Sequence, residues 1–420
     1  MKLKKYRLAD IGKVITGKTP STSIAENYAC GNIPFYTPED VAKGLRMMGR
    51  NNRFISQTGF EEIASNTISG ESVLVGCIGS DMGNVSYSNI TCATNQQINS
   101  ITQFKNGAEP LYVYYLLSTM KPYFQKIAGS TTTPILPKSV FEEIEIYLPG
   151  IKYQKDIVSI LYALDRKIAL NHQINDNLEA IAKQLYDYWF VQFDFPNEEG
   201  KPYKSSGGAM VWNEKLKREI PQGLGTPKIG DIEKNIITGK TPSCADEDNF
   251  GGDIPFVTID DIRGNLFVFE AQRTLSTKGA DSQEKKYLPI GSLSVSCIGT
   301  IGVMGFVARL AQTNQQINSI VFEHEYNKEF LYFSLKLYYE NAKAKTGNVF
   351  ANMSKEEFAS IIVAYPPKQI LQAFHNKVAP IFDSIKNNIE EINSLTKQRD
   401  ELLPLLMNSQ AMVNYHLSDD

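Results

Sequence analysis

The chain has 420 residues, of which 42% are apolar and 21% are charged, with a formal net charge of −3. This length and composition indicate a globular protein of about two to four domains. No apolar run approaches the about 20 residues of a membrane span, and the N-terminus lacks the apolar core of a secretory signal, so we expect a cytoplasmic protein without membrane contact. The five cysteines and four histidines show no metal-ligand spacing, which predicts neither a zinc site nor a disulfide framework.

Basic residues are concentrated near the N-terminus. Residues 1–60 hold ten Lys or Arg against four Asp or Glu, whereas residues 151–200 hold five against eight. The near-neutral average therefore permits one basic face, which is a feature of nucleic-acid-binding proteins.

The first motif in the chain, GKVITGKTPS at 12–21, matches the phosphate-loop pattern of nucleotide-hydrolysing enzymes. A second copy at 234–243 has Lys234 in place of the first glycine. The polar segment after Pro20 gives poor support to the helix that a phosphate loop must precede. Nucleotide hydrolysis is therefore disfavoured, and TGKTPS is the part of the motif that both copies retain.

An internal repeat organises the whole chain. Four motifs recur in the same order, 219 to 222 residues apart: TGKTPS at 16–21 and 238–243, IPFYTPEDV at 33–41 and IPFVTIDDI at 254–262, CIGS at 77–80 and CIGT at 297–300, and TNQQINSI at 94–101 and 313–320. Such order and spacing indicate a duplication of about half the chain, and two copies are too few for a stacked solenoid.

Each copy predicts a globule of mixed α and β structure. The runs at 72–78 and 292–298 predict strands, and the aromatic-rich runs at 111–117 and 330–339 predict packed helices. TNQQINSI is most simply a buried strand with hydrogen-bonded amides, and direct ligand contact is the alternative.

A long amphipathic helix is predicted after each globule, from Gln154 to about Phe190 and from Gln369 to about Met407. Each carries an apolar stripe that it cannot bury alone, so the two helices are expected to pack together as a coiled coil. Pro380 and Pro404 are expected to limit how long the second helix stays straight.

The resulting fold class is mixed α/β (α+β), with two duplicated globules separated by two antiparallel helices and related by an approximate twofold. The predicted divisions are a first globule at 1–150, a first helix at 151–195, a connector at 196–221, a second globule at 222–365, a second helix at 366–410 and a tail at 411–420.

Two other enzymatic interpretations fail on their residues. Tyr365-Pro366-Pro367-Lys368 lacks the Asn or Asp of an amino-methyltransferase motif, and proline at a domain boundary explains it better. Glu39 and Asp40 with Lys43 suggest a nuclease cluster, but a solvated helix start explains the acids with fewer assumptions. No catalytic residue and no metal ligand is therefore predicted.

Candidate DNA contacts fall into two groups. The repeated Gly-Lys-Thr loops could grip a backbone phosphate, with a plain turn and an exposed lysine as an equal alternative. The stretches that differ between the copies, 41–60 and 129–139 against 263–286 and 347–355, carry Arg, Lys, Asn and Gln, which read base edges. The candidates are Lys18, Thr19, Lys43, Arg46, Arg50, Asn51, Arg53, Gln57, Lys138, Lys240, Thr241, Arg263, Arg273, Lys278 and Lys355.

The ordered, duplicated motifs resemble the specificity subunit of Type I restriction-modification enzymes over essentially the whole chain. The Pro-containing segments LPGIKYQ at 148–154 and PPKQ at 366–369, and the connector YDYWFVQFDFPNEEGKPYKSSGG at 186–208, are similar to that family's elements. Departures are modest: the second globule lacks the basic excess of 41–60, and Gly150 stands in place of a second proline.

The resemblance implies a non-catalytic subunit that reads an asymmetric bipartite target in double-stranded DNA, one half-site for each globule. It also implies two methyltransferase subunits and restriction/translocase subunits as partners. S-adenosylmethionine, ATP and Mg are then expected on those partners, with no cofactor on this chain. The alternative is a coiled-coil adaptor with two protein-binding domains and no DNA contact, which salt-dependent DNA binding would distinguish.

Overall fold

The chain divides into two compact units in a computed structural model that describes residues 3–42, 53–79, 82–129, 134–346 and 352–408. Unit 1 comprises Met1–Leu170 and Ile392–Asp420, and unit 2 comprises Asn171–Glu391. Both units combine small sheets with helices, which confirms the mixed α/β class. None of the described helices is long and apolar enough to cross a membrane.

Unit 1 has short strands and short helices before its first long helix. Its strands are β1 (Lys4–Arg7), β2 (Lys13–Thr16), β3 (Ile33–Tyr36), β4 (Phe54–Ile55), β5 (Thr67–Ile68), β6 (Ser72–Gly76), β7 (Val85–Ser88), β8 (Cys92–Thr94), β9 (Ile98–Thr102) and β10 (Glu145–Leu148). Its helices are α1 (Leu8–Ile11), α2 (Pro38–Val41), α3 (Gln57–Glu62), α4 (Pro110–Ser118), α5 (Lys121–Ile127), α6 (Lys138–Glu142) and α7 (Ile151–Tyr186), which continues into unit 2.

The centre of unit 1 is the buried strand β6. It pairs with β9 on one side and β7 on the other, in the described sheet order β2-β9-β6-β7. A second sheet has the order β4-β3-β8-β5. Both faces of β6 are buried, so its apolar residues Val73 to Val75 form a continuous run rather than an alternating one.

Unit 2 repeats this plan after a connecting hairpin. Its strands are β11 (Met210–Asn213), β12 (Arg218–Pro221), β13 (Ile236–Thr238), β14 (Phe250–Val257), β15 (Phe267–Val268), β16 (Thr274–Leu275), β17 (Leu293–Ser296), β18 (Met304–Val307), β19 (Gln312–Thr313) and β20 (Ile317–Ile320). Its helices are α8 (Ile229–Ile232), α9 (Ile259–Ile262), α10 (Thr277–Asp281), α11 (Lys328–Thr346), α12 (Lys355–Ala359) and α13 (Lys368–Met407), which continues into unit 1.

The duplication in the amino-acid sequence is matched by a duplication of sheet topology. The described sheet order β13-β20-β17-β18-β15 places β17 between β20 and β18, as β6 lies between β9 and β7. The parallel pair β14 and β19 likewise matches β3 and β8. The predicted strands and aromatic-rich helices are therefore confirmed in both copies.

The connector packs onto unit 2. A π-helical turn at Asp187–Val191 follows α7, and Trp189, Phe190 and Phe193 enter the apolar core with α11 and α13. The many aromatic residues of this stretch are therefore explained by their burial in the core of unit 2. The predicted domain boundaries remain predictions.

The two long helices pair within each unit. In unit 2, Asn171 donates to Glu391 at 2.8 Å and Asn388 donates to Asn175 at 2.8 Å. The residue that is later in α7 therefore contacts the residue that is earlier in α13, which means that the two helices run antiparallel. In unit 1, Arg399 of α13 meets Asp165 of α7.

Both helices begin at the proline-containing segments, at Ile151 and Lys368. Pro380 and Pro404 lie inside α13, and the helix continues through both. An internal proline costs about 3 kcal/mol, and the buried residues Val378 and Phe382 on either side of Pro380 offset this loss.

Candidate nucleic-acid interface

In each unit the TGKT loop is hydrogen-bonded to the TNQQ turn, which precedes β9 in unit 1 and β20 in unit 2. Thr19 Oγ1 donates to Gln96 Oε1 at 2.9 Å, and Thr241 Oγ1 donates to Gln315 Oε1 at 2.8 Å. A Cβ on Gly17 would lie 2.2 Å from Asn95 O, which is closer than any side chain tolerates. The loop therefore needs glycine because it passes directly against this backbone.

The amides of the TNQQ part of TNQQINSI form a turn, whereas Asn99 and Asn318 lie in the buried strands β9 and β20 and accept from Thr16 and Thr238. Asn95 Nδ2 donates to Gln97 Oε1 at 2.9 Å, and Asn314 Nδ2 donates to Gln316 Oε1 at the same distance. Thr94 and Thr313 end the buried strands β8 and β19, and the buried strands β9 and β20 begin at Ile98 and Ile317. The sequence interpretation was therefore right for both ends of the motif and wrong for the turn between them. The cause is local, because the Asn side chain also accepts from the backbone N of the Gln two residues later.

A shallow groove of about 420 Å³ in unit 1 joins three repeated motifs to one divergent stretch. It is lined by Thr37, Pro38, Glu39, Arg53, Ile78, Gly79, Asn95 and Gln97. These residues come from TPED, CIGS, TNQQ and the end of the basic stretch 41–60. Segments that are far apart in the chain thus converge on one surface.

Arg53 is the basic side chain in this groove, and acids hold it. Its guanidinium donates to Thr37 Oγ1 at 2.8 Å and pairs with Glu39 at 3.2 Å and Asp40 at 3.4 Å. Glu39 and Arg53 are half-exposed or more, so this pair contributes little stability and can open towards a phosphate or a guanine edge.

Asp40 corrects the expectation of a solvated helix start. Its side chain is 5% exposed, and its carboxylate accepts from Thr37 N at 2.9 Å. Asp261 accepts from Thr258 N at 2.8 Å in the same way. Each acid begins its short helix by satisfying a free backbone N–H group, so the acids are structural and only Glu39 and Asp260 face solvent.

The second divergent stretch of unit 1 is attached to the same groove. Gly79 N donates to Pro134 O at 3.1 Å, and Leu136 N donates to Cys77 O at 2.8 Å. In unit 2, Met353 N donates to Cys297 O at 2.8 Å. The CIGS and CIGT turns therefore anchor the described ends of the stretches 129–139 and 347–355.

The two units differ in the positions of their basic side chains. Arg53 O accepts from Phe35 N and Arg273 O accepts from Phe256 N, each at 3.0 Å, so the two arginines are structural counterparts. However, the Arg273 guanidinium lies over the Phe250 ring, 4.4 Å from its centroid. In unit 2 it is Arg263 that reaches the CIGT turn, donating to Thr300 Oγ1 at 3.4 Å.

The other candidate DNA contacts in the described residues fall into two groups, those that an acidic side chain pairs with and those that none does. Gln57 donates to Glu61, Lys138 pairs with Glu142, and Lys278 pairs with Asp246 and Asp248. Hydrogen bonds to Asp246 and Asp248 raise the pKa of Lys278. Lys18, Lys240 and Lys355 are exposed and form no ion pair with any residue in the described ranges. Lys43, Arg46, Arg50 and Asn51 lie outside the described residues.

The candidates chosen from the sequence do not include the residues that hold the TGKT loops and the short helices in place. They are Thr37, Asn95, Gln96 and Gln97 in unit 1, with Thr258, Asn314, Gln315 and Gln316 in unit 2. Their exact repetition in the two copies was the available signal, but repetition alone does not separate a scaffold from a contact.

The described residues that line the groove include no cysteine, histidine or serine. Burial raises the pKa of the Cys77 thiol to about 12, and the thiol donates to Val75 O within the core. Within the described ranges, no group of three or more His, Cys, Asp or Glu side chains is placed to hold a metal ion. The arrangement offers hydrogen-bond donors, amides and cations on a duplicated surface, which suits binding to a polyanion.

Comparison with known proteins gives one consistent family. The model of the Type I restriction modification DNA specificity domain matches residues 2–180 and again residues 221–399. The specificity subunit of the HindI Type I restriction enzyme of Haemophilus influenzae is 32% identical over 72% of this chain and 77% of its own length. The MjaIX specificity subunit of Methanocaldococcus jannaschii is 28% identical over 96% of this chain and 91% of its own.

A solved structure agrees in fold. The S subunit of a Type I restriction-modification system from M. genitalium superposes with a TM-score of 0.57 at 15% identity, covering 97% of this chain and 96% of that one.

Proposed function

Because the chain belongs to the Type I restriction-modification DNA specificity family, whose domain it contains twice, we propose that each unit reads one half of a split DNA target. The chain is the DNA sequence-recognition component of such a system. The observation that carries the proposal is a set of contacts that both units repeat: the TGKT loop is held by TNQQ, and the Asp of TPED or TIDD starts a short helix. In unit 1 this repeated frame borders the groove that contains Arg53. The side chains that the frame positions differ between the copies.

The repeated and the divergent residues have separate roles in this proposal. Lys18 and Lys240, which no described acid neutralises, bind backbone phosphates and set the position of each unit on the duplex. Arg53 lies beside the CIGS turn of unit 1, and Arg263 lies beside the corresponding CIGT turn of unit 2, but the two arginines come from different positions of the repeat. They contact base edges or nearby phosphates in two different half-sites. Two unlike readers on one chain give an asymmetric target.

The long helices supply the spacing and the docking surface. Their antiparallel pairing is fixed by polar contacts such as Asn388 to Asn175, which specify register at some cost in stability. We infer that the pair sets the gap between the half-sites. Two methyltransferase subunits and the restriction/translocase subunits assemble on this frame.

The chemistry belongs to the partners in this proposal. The methyltransferase subunits carry S-adenosylmethionine, and the restriction/translocase subunits carry ATP and Mg. This chain contributes binding, register and target choice, and it has no catalytic residue of its own.

Salt-dependent DNA binding tests the proposal. The full chain with its methyltransferase partner should bind a duplex that contains the target, and the affinity should fall linearly with the logarithm of salt concentration. Specific binding should exceed binding to unrelated duplex by about a thousandfold or more. Equal affinity for both duplexes would contradict sequence recognition, and no affinity at low salt would support the adaptor without DNA contact.

A further inference from the structure

Unit 2 contains a cavity of about 380 Å³ that lies apart from the groove motifs and belongs to the hairpin β11–β12, helix α11 and the segment 362–364. Its lining is mostly apolar or aromatic: Tyr186, Phe190, Leu216, Arg218, Ser334, Leu337, Tyr338, Asn341, Ala342, Ile362, Val363 and Ala364. A volume of this size is within the range of about 300–1,000 Å³ that small-molecule sites occupy.

Arg218 is the only charged side chain among these lining residues. Its guanidinium lies over the Phe193 ring, 4.8 Å from the centroid, and it forms no ion pair with any described residue. Burial lowers its pKa, and the nearby Tyr186 phenol opposes this shift only in part. A partly buried guanidinium has five N–H donors, and leaving them without a charged acceptor is costly.

The remaining polar groups in the cavity are neutral. Tyr186 and Ser334 share a hydrogen bond of 3.0 Å with each other, and the Asn341 amide lies at the exposed rim. The cavity therefore combines one positive charge with hydrogen-bonding hydroxyls and wide apolar walls.

We propose that this cavity binds a small carboxylic acid with an apolar body, whose carboxylate pairs with Arg218. The planar guanidinium fits a carboxylate through two parallel hydrogen bonds. One cation matches one negative charge, whereas a phosphate dianion would remain half-neutralised among apolar walls. The apolar body would occupy the space between Leu216, Leu337 and Val363.

Calorimetric titration of the full chain with 4-phenylbutyrate tests the site. Its neutral amide, 4-phenylbutyramide, has nearly the same shape without the charge, and inorganic phosphate has the charge without the apolar body. The acid should bind saturably and at least about tenfold more tightly than the amide, a difference of about 1.4 kcal/mol. Phosphate should not compete with it.

Two variants locate the interaction. Arg218→Met should remove the preference for the acid over the amide, and Lys217→Met, on the neighbouring exposed lysine that pairs with Glu214, should keep it. The amide comparison uses the unmodified protein, so it does not depend on the variants folding. Equal binding of acid and amide, no saturable binding of the acid at millimolar concentration, or an unchanged preference in Arg218→Met would each overturn the proposal.

Discussion

Asp165 of helix α7 accepts a hydrogen bond of 2.8 Å from Arg399 of helix α13, deep in the part of the helix pair that belongs to unit 1. The same carboxylate accepts from Tyr115 of helix α4 at 2.7 Å. Asp165 therefore links three helices, and burial together with the negative charge of Asp165 raises the pKa of Tyr115. This one group ties the globular part of unit 1 to both of its long helices.

Removing this carboxylate should weaken unit 1. Asp165→Ala leaves the Arg399 guanidinium partly buried without its main acceptor, so the free energy of unfolding in urea should fall by about 3 kcal/mol. Asp400→Ala is the matched control, because Asp400 pairs with the same arginine at the surface, and it should cost less than about 1 kcal/mol. Equal losses in the two variants would mean that Asp165 has no special role.

The close approach at Gly17 gives a second prediction. Gly17→Ala places a Cβ 2.2 Å from Asn95 O and Thr94 Oγ1, so the TGKT loop must shift and stability should fall by about 1–3 kcal/mol. Gly150→Ala faces open space and should leave stability within about 0.5 kcal/mol or raise it slightly. Thermal melts of the two variants make the comparison, and a harmless Gly17→Ala would show that the loop is not tightly packed.

A pH effect is expected in unit 2. The hydrogen bond of 2.7 Å to Glu329 raises the pKa of His375 above its ordinary 6.5, with a further contribution from Glu325 and opposition from burial and Lys328. A raised folded pKa adds stability that is fully present below 6.5 and is lost as the pH rises through the folded value.

Glu329→Gln should remove this pH dependence. The stability difference between the wild type and the variant should shrink as the pH rises from below 6.5 to above the folded pKa, measured by urea unfolding at a series of pH values. His324→Gln keeps the His375–Glu329 pair and serves as the control. A difference that stays constant over this range would contradict the assignment.

The unpaired lysines of the TGKT loops should contribute to affinity rather than to sequence choice. Lys18→Ala and Lys240→Ala should each weaken DNA binding for all duplexes and reduce the slope of log affinity against log salt by about 0.9. Lys201→Ala, on a connector lysine that pairs with Glu199, should leave the slope unchanged. An unchanged slope in both loop variants would remove these lysines from the interface.

The fold could be predicted from the sequence because the patterns that indicate it are periodic, as in the long helices, or repeated, as in the two globules. The stripe of α13 and the recurrence of TNQQINSI each follow from local rules, and both appear in the structure. The groove did not follow from such rules, because it joins Arg53 to Thr37, Ile78 and Asn95 through the folded sheets.

Charge compensation was also invisible in the sequence. Lys278 and Lys138 looked like free cations, yet acids 4 to 32 residues away in the chain pair with them. The aligned arginines Arg53 and Arg273 differ because Phe250 offers a ring to one of them. Only the three-dimensional neighbourhood shows which of these cations an acid of the same chain already pairs with.

The most direct test of the account is a methylation map of DNA modified by the assembled complex, before and after residues 1–150 are replaced with the corresponding domain of another specificity subunit. The account predicts a split target in which one half-site changes while the other half-site and the gap stay the same. A change in both half-sites, or a target that is not split, would contradict it.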